Sequence, residues 1–162
     1  MPLIGTACDR LDAQGYVHIP PGQLAALQPW LRWSPALCAT FMATGTLFAS
    51  PWVLWGLAPF AALGALMDRH PFDYVYNYGV RHLTGTEPLP PHGAPRRFAC
   101  GIASVWLIGT GALFAADQTT AGYVLGGMLT AVALLVSVTH FCIPSLVYGT
   151  LFGRPTRSAE PL

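Results

Sequence analysis

Four cysteines and five histidines carry most of the reactive chemistry in this chain, and one short run holds both types: Thr139-His140-Phe141-Cys142-Ile143-Pro144-Ser145. A thiol and an imidazole two positions apart can serve as a redox-active pair, or ligate a metal or haem. Pro144 has no N–H to give the carbonyl of His140, so a helix ending there is loosened and one backbone acceptor is freed. Cys142 and His140 are therefore the catalytic candidates. Cys38 and Cys100 join them as cofactor-binding candidates, because each lies within a turn or two of the same end of an apolar segment. The pattern names no cofactor. The bland alternative is that buried cysteines act as small hydrophobes, their commonest role. Depth along a helix says nothing about azimuth, so both readings stand.

The other histidines are His18, His70, His82 and His92. His70 and Asp73 are three apart and can share a helix face, but no zinc signature matches these spacings and no metal site is expected. There is no glycine-rich phosphate loop, no pair of catalytic carboxylates and no serine-histidine-acid order. No Asp, Glu, Lys or Arg falls within the long apolar runs, which disfavours ion or proton transport through an embedded charge.

The elements that must position these groups are apolar. Of 162 residues, 53% are hydrophobic and 9% charged, too few charges for an ordinary soluble surface. A net charge of +1 and the absence of any lysine-arginine run exclude nucleic acid as a partner. None of the eight arginines falls in the apolar runs 36–49, 51–67, 98–116 and 121–143, or in the connectors at Ser50 and 117–120. They lie in the N-terminal segment (Arg10, Arg32), the central loop (Arg69, Arg81, Arg96, Arg97) and the tail (Arg154, Arg157). Four crossings place all three regions on one face, and the positive-inside rule makes that face cytoplasmic. Reading 36–67 as one long helix instead would strand Arg10 and Arg32 outside. A hairpin turning at Ser50-Pro51 is the better reading, with Pro51 at the first helical position and Pro59 kinking the second helix.

The expected fold is an all-α membrane protein of four transmembrane helices in two helical hairpins, with short interfacial helices in the N-terminal segment and central loop. Residues 1–35 form a cytoplasmic leader, irregular to Gly22 with a turn at Ile19-Pro20-Pro21-Gly22, and with an interfacial helix from Gln23 to Trp33. Residues 36–152 form the membrane domain around a cytoplasmic loop, 68–97, and 153–162 a cytoplasmic tail. Met1-Pro2-Leu3-Ile4 lacks the basic start of a secretory signal, so the leader is retained. In the loop, Phe72, Val75, Tyr76 and Leu83 are expected to face lipid, and the proline-rich half to lie extended. Gly122 and Gly126 read as close-packing positions within one bundle. All four thiols fall in or near a reducing compartment, which argues against structural disulfides.

Several of these pieces resemble a bacterial integral-membrane family known as domain of unknown function 4395. They are Ser50-Pro51-Trp52, His70-Pro71-Phe72-Asp73, Ala94-Pro95-Arg96-Arg97-Phe98-Ala99 and Phe141-Cys142-Ile143-Pro144-Ser145-Leu146-Val147-Tyr148, spread over roughly residues 36 to 150. The resemblance implies four membrane helices in a bacterial membrane, and the arginine distribution puts both termini on the cytoplasmic side of the inner membrane. Members often carry C-x-x-C at the last of these sites. Here the second thiol is replaced by Ser145, which leaves a monothiol that can attack, ligate or be glutathionylated.

Two functional readings follow. In the favoured one the chain is a structural or accessory subunit, not an enzyme, packed against lipid and against membrane or cytoplasmic protein partners. In the other it is a redox or cofactor-linked protein using Cys142, His140 and their neighbouring thiols, with the Cys142 thiol titrating below ~8.5.

Overall fold

Prolines set the start of five helices. Pro21, Pro51, Pro71, Pro95 and Pro144 each lie in a first helical turn, where the missing N–H leaves no hydrogen bond unmade. In this computed structural model, which describes residues 6–155, the regular secondary structure of the described residues is all helical, with no strand. The readings made for Met1 to Ile4 and for Arg157 in the tail lie outside the described residues.

The leader is not irregular. Thr6 and Asp9 form a reciprocal capping box that starts α1 (Ala7–Ala13), and the paired prolines open α2 (Pro21–Leu27) instead of marking a turn. A 3-10 turn, Trp30–Arg32, then feeds α3 (Trp33–Leu47). Leu24, Leu27 and Leu31 are buried with Leu11, Tyr16, Ile19, Tyr76 and Leu89 in a satellite core. The apolar face that the sequence suggested for lipid is thus taken up by protein.

The chain turns at Ala49, whose φ is +45°, and continues as α4 (Pro51–Leu66), which runs through Pro59. A Cβ on Gly45 would lie 2.6 Å from the Leu54 side chain, so the two helices pack closely across the turn. The central loop holds α5 (Pro71–Val75), a π turn (Tyr76–Val80) and α6 (Arg81–Thr84), closed by Gly85 in the left-handed region. Val75 and Leu83 are exposed as expected. Tyr76 is fully buried against Trp30 and Trp33, and Phe72 stacks between Phe41 and Phe60, so neither is free for lipid. The proline-rich residues after Gly85 are non-helical, and Leu89 is pinned by both amide atoms of Asn77.

α7 (Ala94–Ala115) packs on α4, and α8 (Thr119–Thr139) packs on α3 and α7. Glycines permit the closest approaches: Gly111 lies against Trp55, Gly122 against Phe114 and Gly126 against Thr46. The last run is not one helix to residue 143. It stops at Thr139, His140 takes a left-handed conformation (φ 57°), and a new helix, α9 (Ile143–Phe152), begins after Cys142 and packs on α7. The helices α7 and α8 are long and apolar enough to cross a membrane. A third span arises only if α4 and the α5–α6 segment, bent by 86°, count as one.

Candidate functional site

The site is built where the starts of α3 and α7 meet the end of α4 and the α8–α9 break. Cys38 comes from α3, Cys100 from α7 and Cys142 from the break, and all three line one cavity of about 370 Å³ together with His70, Arg96 and Gln14. The volume suits a small ligand, and most of the remaining wall is apolar, from residues such as Met42, Trp106 and Leu129. The cavity is thus thiol-lined. A larger, open groove of about 880 Å³ along α7, from Arg97 to Gly109, holds no thiol.

His70 is the N-cap of α5. Its Nδ1 accepts the Phe72 N–H at 3.3 Å, and its own N–H is taken by Asp73 Oδ2 at 3.2 Å. The proton of the neutral ring is therefore assigned to Nε2, which faces Cys38 Sγ at 3.8 Å. Burial first, and then the Arg96 charge, push the imidazole below its ordinary range, with Asp73 opposing. His70 thus presents an N–H donor to Cys38. A Cβ placed on Gly64 would be 3.3 Å from both His70 Nε2 and Cys100 Sγ, so the absent side chain of Gly64 makes room for the pair.

Arg96 is only 6% exposed. Its Nη1 donates to the Tyr16 hydroxyl, and its guanidinium carbon lies 5.8 Å from the centre of that ring. The contact depends on a backbone crossing at Gly15, whose φ is +97° and whose Cβ, if present, would come within 2.5 Å of Gly93 Cα. Burial raises the Tyr16 phenol, although Arg96 pulls the other way, so it remains protonated. Asp73, itself buried, accepts the Ser34 hydroxyl and the His70 N–H and acts on Arg96 through space. The neighbouring Arg97 turns outward and caps α4 by donating to the carbonyls of Ala65 and Leu66 at 2.9 and 2.7 Å. Consecutive helical residues point about 100° apart, which separates the two arginines.

His140 is brought close to Cys142 in sequence but does not line the cavity. It is instead the point at which the leader clamps the end of α8. Its carbonyl accepts Gln14 Nε2 at 2.7 Å, its Nε2 accepts Arg32 Nε at 3.1 Å, and the adjacent Thr139 carbonyl accepts Arg10 Nη1 at 3.0 Å. The acceptor freed at the helix end is thus filled by the protein itself. Burial, then Arg32, push its imidazole down. Cys142 lies beyond the end of α8, and burial pushes its thiol up, with Ser145 hydrogen bonds opposing. The second sequence reading required the opposite direction.

Cys8 packs in the leader's own core, and His18 and His82 are exposed. His92 is buried nearby, and burial, then Arg96, push it below its ordinary range. Among the described residues no three His, Cys, Asp or Glu side chains stand close enough to hold a metal ion. Sequence reasoning missed Arg96, Tyr16, Gln14 and the cavity role of His70. One signal was available: Arg96 and Arg97 lie in the first turn of α7, where a cation opposes the helix dipole.

These features define a helical protein with two or three helices able to cross a membrane by length and composition, and a thiol-lined cavity where its elements converge. The chain belongs to the family described as domain of unknown function 4395, which it matches over residues 28–152. No curated protein and no solved structure matches it.

Proposed function

We propose that this chain is a multi-pass protein of a bacterial cytoplasmic membrane whose working part is a binding site for a small apolar ligand, with three thiols facing that ligand. The observation that carries this reading is the convergence of Cys38, Cys100 and Cys142, from three separate parts of the chain, on one cavity. This favours the ligand- or cofactor-linked reading over the accessory-subunit reading. Cys38, Cys100 and Cys142 face the ligand, and His140 acts in positioning the α8 end.

The topology we propose has α3, α4, α7 and α8 as four crossings in two hairpins. Both termini and the 68–97 loop lie on the cytoplasmic side, and the exposed Val75, Tyr78 and Leu83 rest on lipid. Support comes from the packing of α3 on α8 and α4 on α7, and from the eight arginines outside the apolar runs. At 15 and 16 residues, α3 and α4 span roughly 23 Å, short of a ~30 Å core, so the bilayer thins around them.

The test uses the full chain with Cys8→Ser, purified in mild detergent, alkylated with a bulky apolar maleimide and followed by intact mass. A single shared cavity accepts one adduct and then excludes a second, so labelling stops at one. Three adducts forming at independent rates would overturn the reading.

A further inference from the structure

Besides the polar Gln14, Ser34 and His70, the cavity wall holds one charged side chain, and its placement indicates what kind of molecule fits. Arg96 is nearly fully buried and lines the void. A buried guanidinium is costly unless its charge is answered. Its hydrogen-bonded partner Tyr16 is a phenol and carries no charge, and Asp73 acts on it only through space, its oxygens being taken by Ser34 and the backbone N–H of His70, so among the described residues no carboxylate is hydrogen-bonded to the guanidinium. Arginine has five N–H donors in a planar fork that suits a carboxylate or phosphate.

Away from Arg96 the wall is formed by Met42, Trp106, Leu129, Val132 and similar side chains from α3, α7 and α8. Two lining residues, Met128 and Ile143, are 54% and 43% exposed. Met128 lies on α8, one of the crossings proposed above, and Ile143 opens α9, so the cavity is accessible along that side of the bundle.

We propose that Arg96 is the head-group subsite for an amphiphile with a single anionic head and one apolar chain, admitted from the bilayer past Met128 and Ile143. The inference rests on the reading of the cavity as the working site. The head accepts hydrogen bonds from the Arg96 guanidinium, and the chain lies along the apolar wall beside the three thiols. A carboxylate and a phosphate head share this chemistry.

The experiment uses the full-length protein in phosphatidylcholine nanodiscs and the alkylation rate of Cys142 by N-ethylmaleimide. Four amphiphiles with the same twelve-carbon chain are compared: dodecanoate, monododecyl phosphate, dodecanol and dodecyltrimethylammonium. The expected result is protection by one or both anions at concentrations at least about tenfold lower than dodecanol, as a charge-assisted hydrogen bond should give, and none by the cation. Which anion is the better protector identifies the head as carboxylate or phosphate. Arg96→Gln should abolish the preference for the anion over the alcohol. If that variant does not fold, the head-group series on the wild type decides alone. Equal or better protection by dodecanol, or an anion preference that survives in Arg96→Gln, would overturn the head-group proposal and leave the cavity reading standing. Protection by none of the four would overturn both.

Discussion

Replacing Ser34 and Asp73, singly and together, tests whether the buried polar cluster beneath the cavity acts as a unit. The Ser34 hydroxyl donates to one carboxylate oxygen of Asp73, and the other oxygen receives the His70 N–H. Both residues are buried, so a lost partner is not replaced by water. Ser34→Ala removes one hydrogen bond to a charged group, at a cost of about 1.5–3 kcal/mol. Asp73→Ala removes the same bond, an N-terminal capping bond of about 1 kcal/mol, and the acid acting on Arg96. The two bonds together come to about 2.5–4 kcal/mol, and the lost attraction to Arg96 adds to this, so Asp73→Ala should cost about 3 kcal/mol or more. Because the Ser34 bond is already gone in Asp73→Ala, the double variant should be no less stable than Asp73→Ala, with a coupling of about 1.5–3 kcal/mol. Thermal unfolding in a neutral detergent, followed by tryptophan fluorescence, reads this out at about 2–4 °C per kcal/mol. Ser34→Ala should therefore lower the midpoint by about 3–12 °C. A cost below about 0.5 kcal/mol for Ser34→Ala, or additive effects in the double variant, would refute the reasoning.

Gly111→Ala drives a Cβ to within 2.4 Å of Trp55 Nε1, which already donates to the Ile108 carbonyl, whereas Gly109→Ala meets nothing within 4 Å. The first should lose about 1–3 kcal/mol to overpacking and the second gain up to about 1 from helix propensity; the same melting assay contradicts this if Gly111→Ala is the more stable. Gln14→Ala removes the 2.7 Å bond to the His140 carbonyl and should speed amide exchange in the last turn of α8 and at Phe141 and Cys142, with α7 unchanged; equal exchange in both proteins would count against the clamp. His70 is held neutral by burial and Arg96, so below its unfolded value of 6.5 the unfolded chain binds one more proton than the folded one. Stability from this group is complete above that pH and is lost as pH falls toward the lowered folded value. His70→Asn keeps a cap acceptor for the Phe72 N–H and should remove up to about 1.4 kcal/mol per pH unit of that slope; an unchanged slope in pH-dependent unfolding would sink the assignment.

The helical class was legible because hydrophobic runs, helix-starting prolines and excluded arginines are local properties. Ser50-Pro51 was readable as a helix start for the same reason, since proline at a first helical position acts through its own ring. The leader was misread because its paired prolines signal a break equally well whether a helix stops or starts there. Leu24, Leu27 and Leu31 show the amphipathic spacing of an interfacial helix, but that spacing cannot distinguish lipid from Tyr76 and Leu89 as the surface that covers it. The end of α8 was anticipated as loosened. That Gln14, Arg10 and Arg32 would fill its free acceptors depends on residues more than a hundred positions away.

The chemistry of the site divides along the same line. Residue types and depth along the helices determined that Cys38, Cys100 and Cys142 lie at one end of the apolar segments, because rise per residue is nearly constant. Tertiary structure decided the azimuth: the packing of α3, α4, α7 and α8 turns all three thiols and His70 toward one void, and turns His140 away from it. It also decided which arginine is buried. Arg96 and Arg97 are identical in type and adjacent in sequence, and only the phase of α7 against α4 and the Gly15–Gly93 crossing send one to the cavity and the other to cap a neighbouring helix.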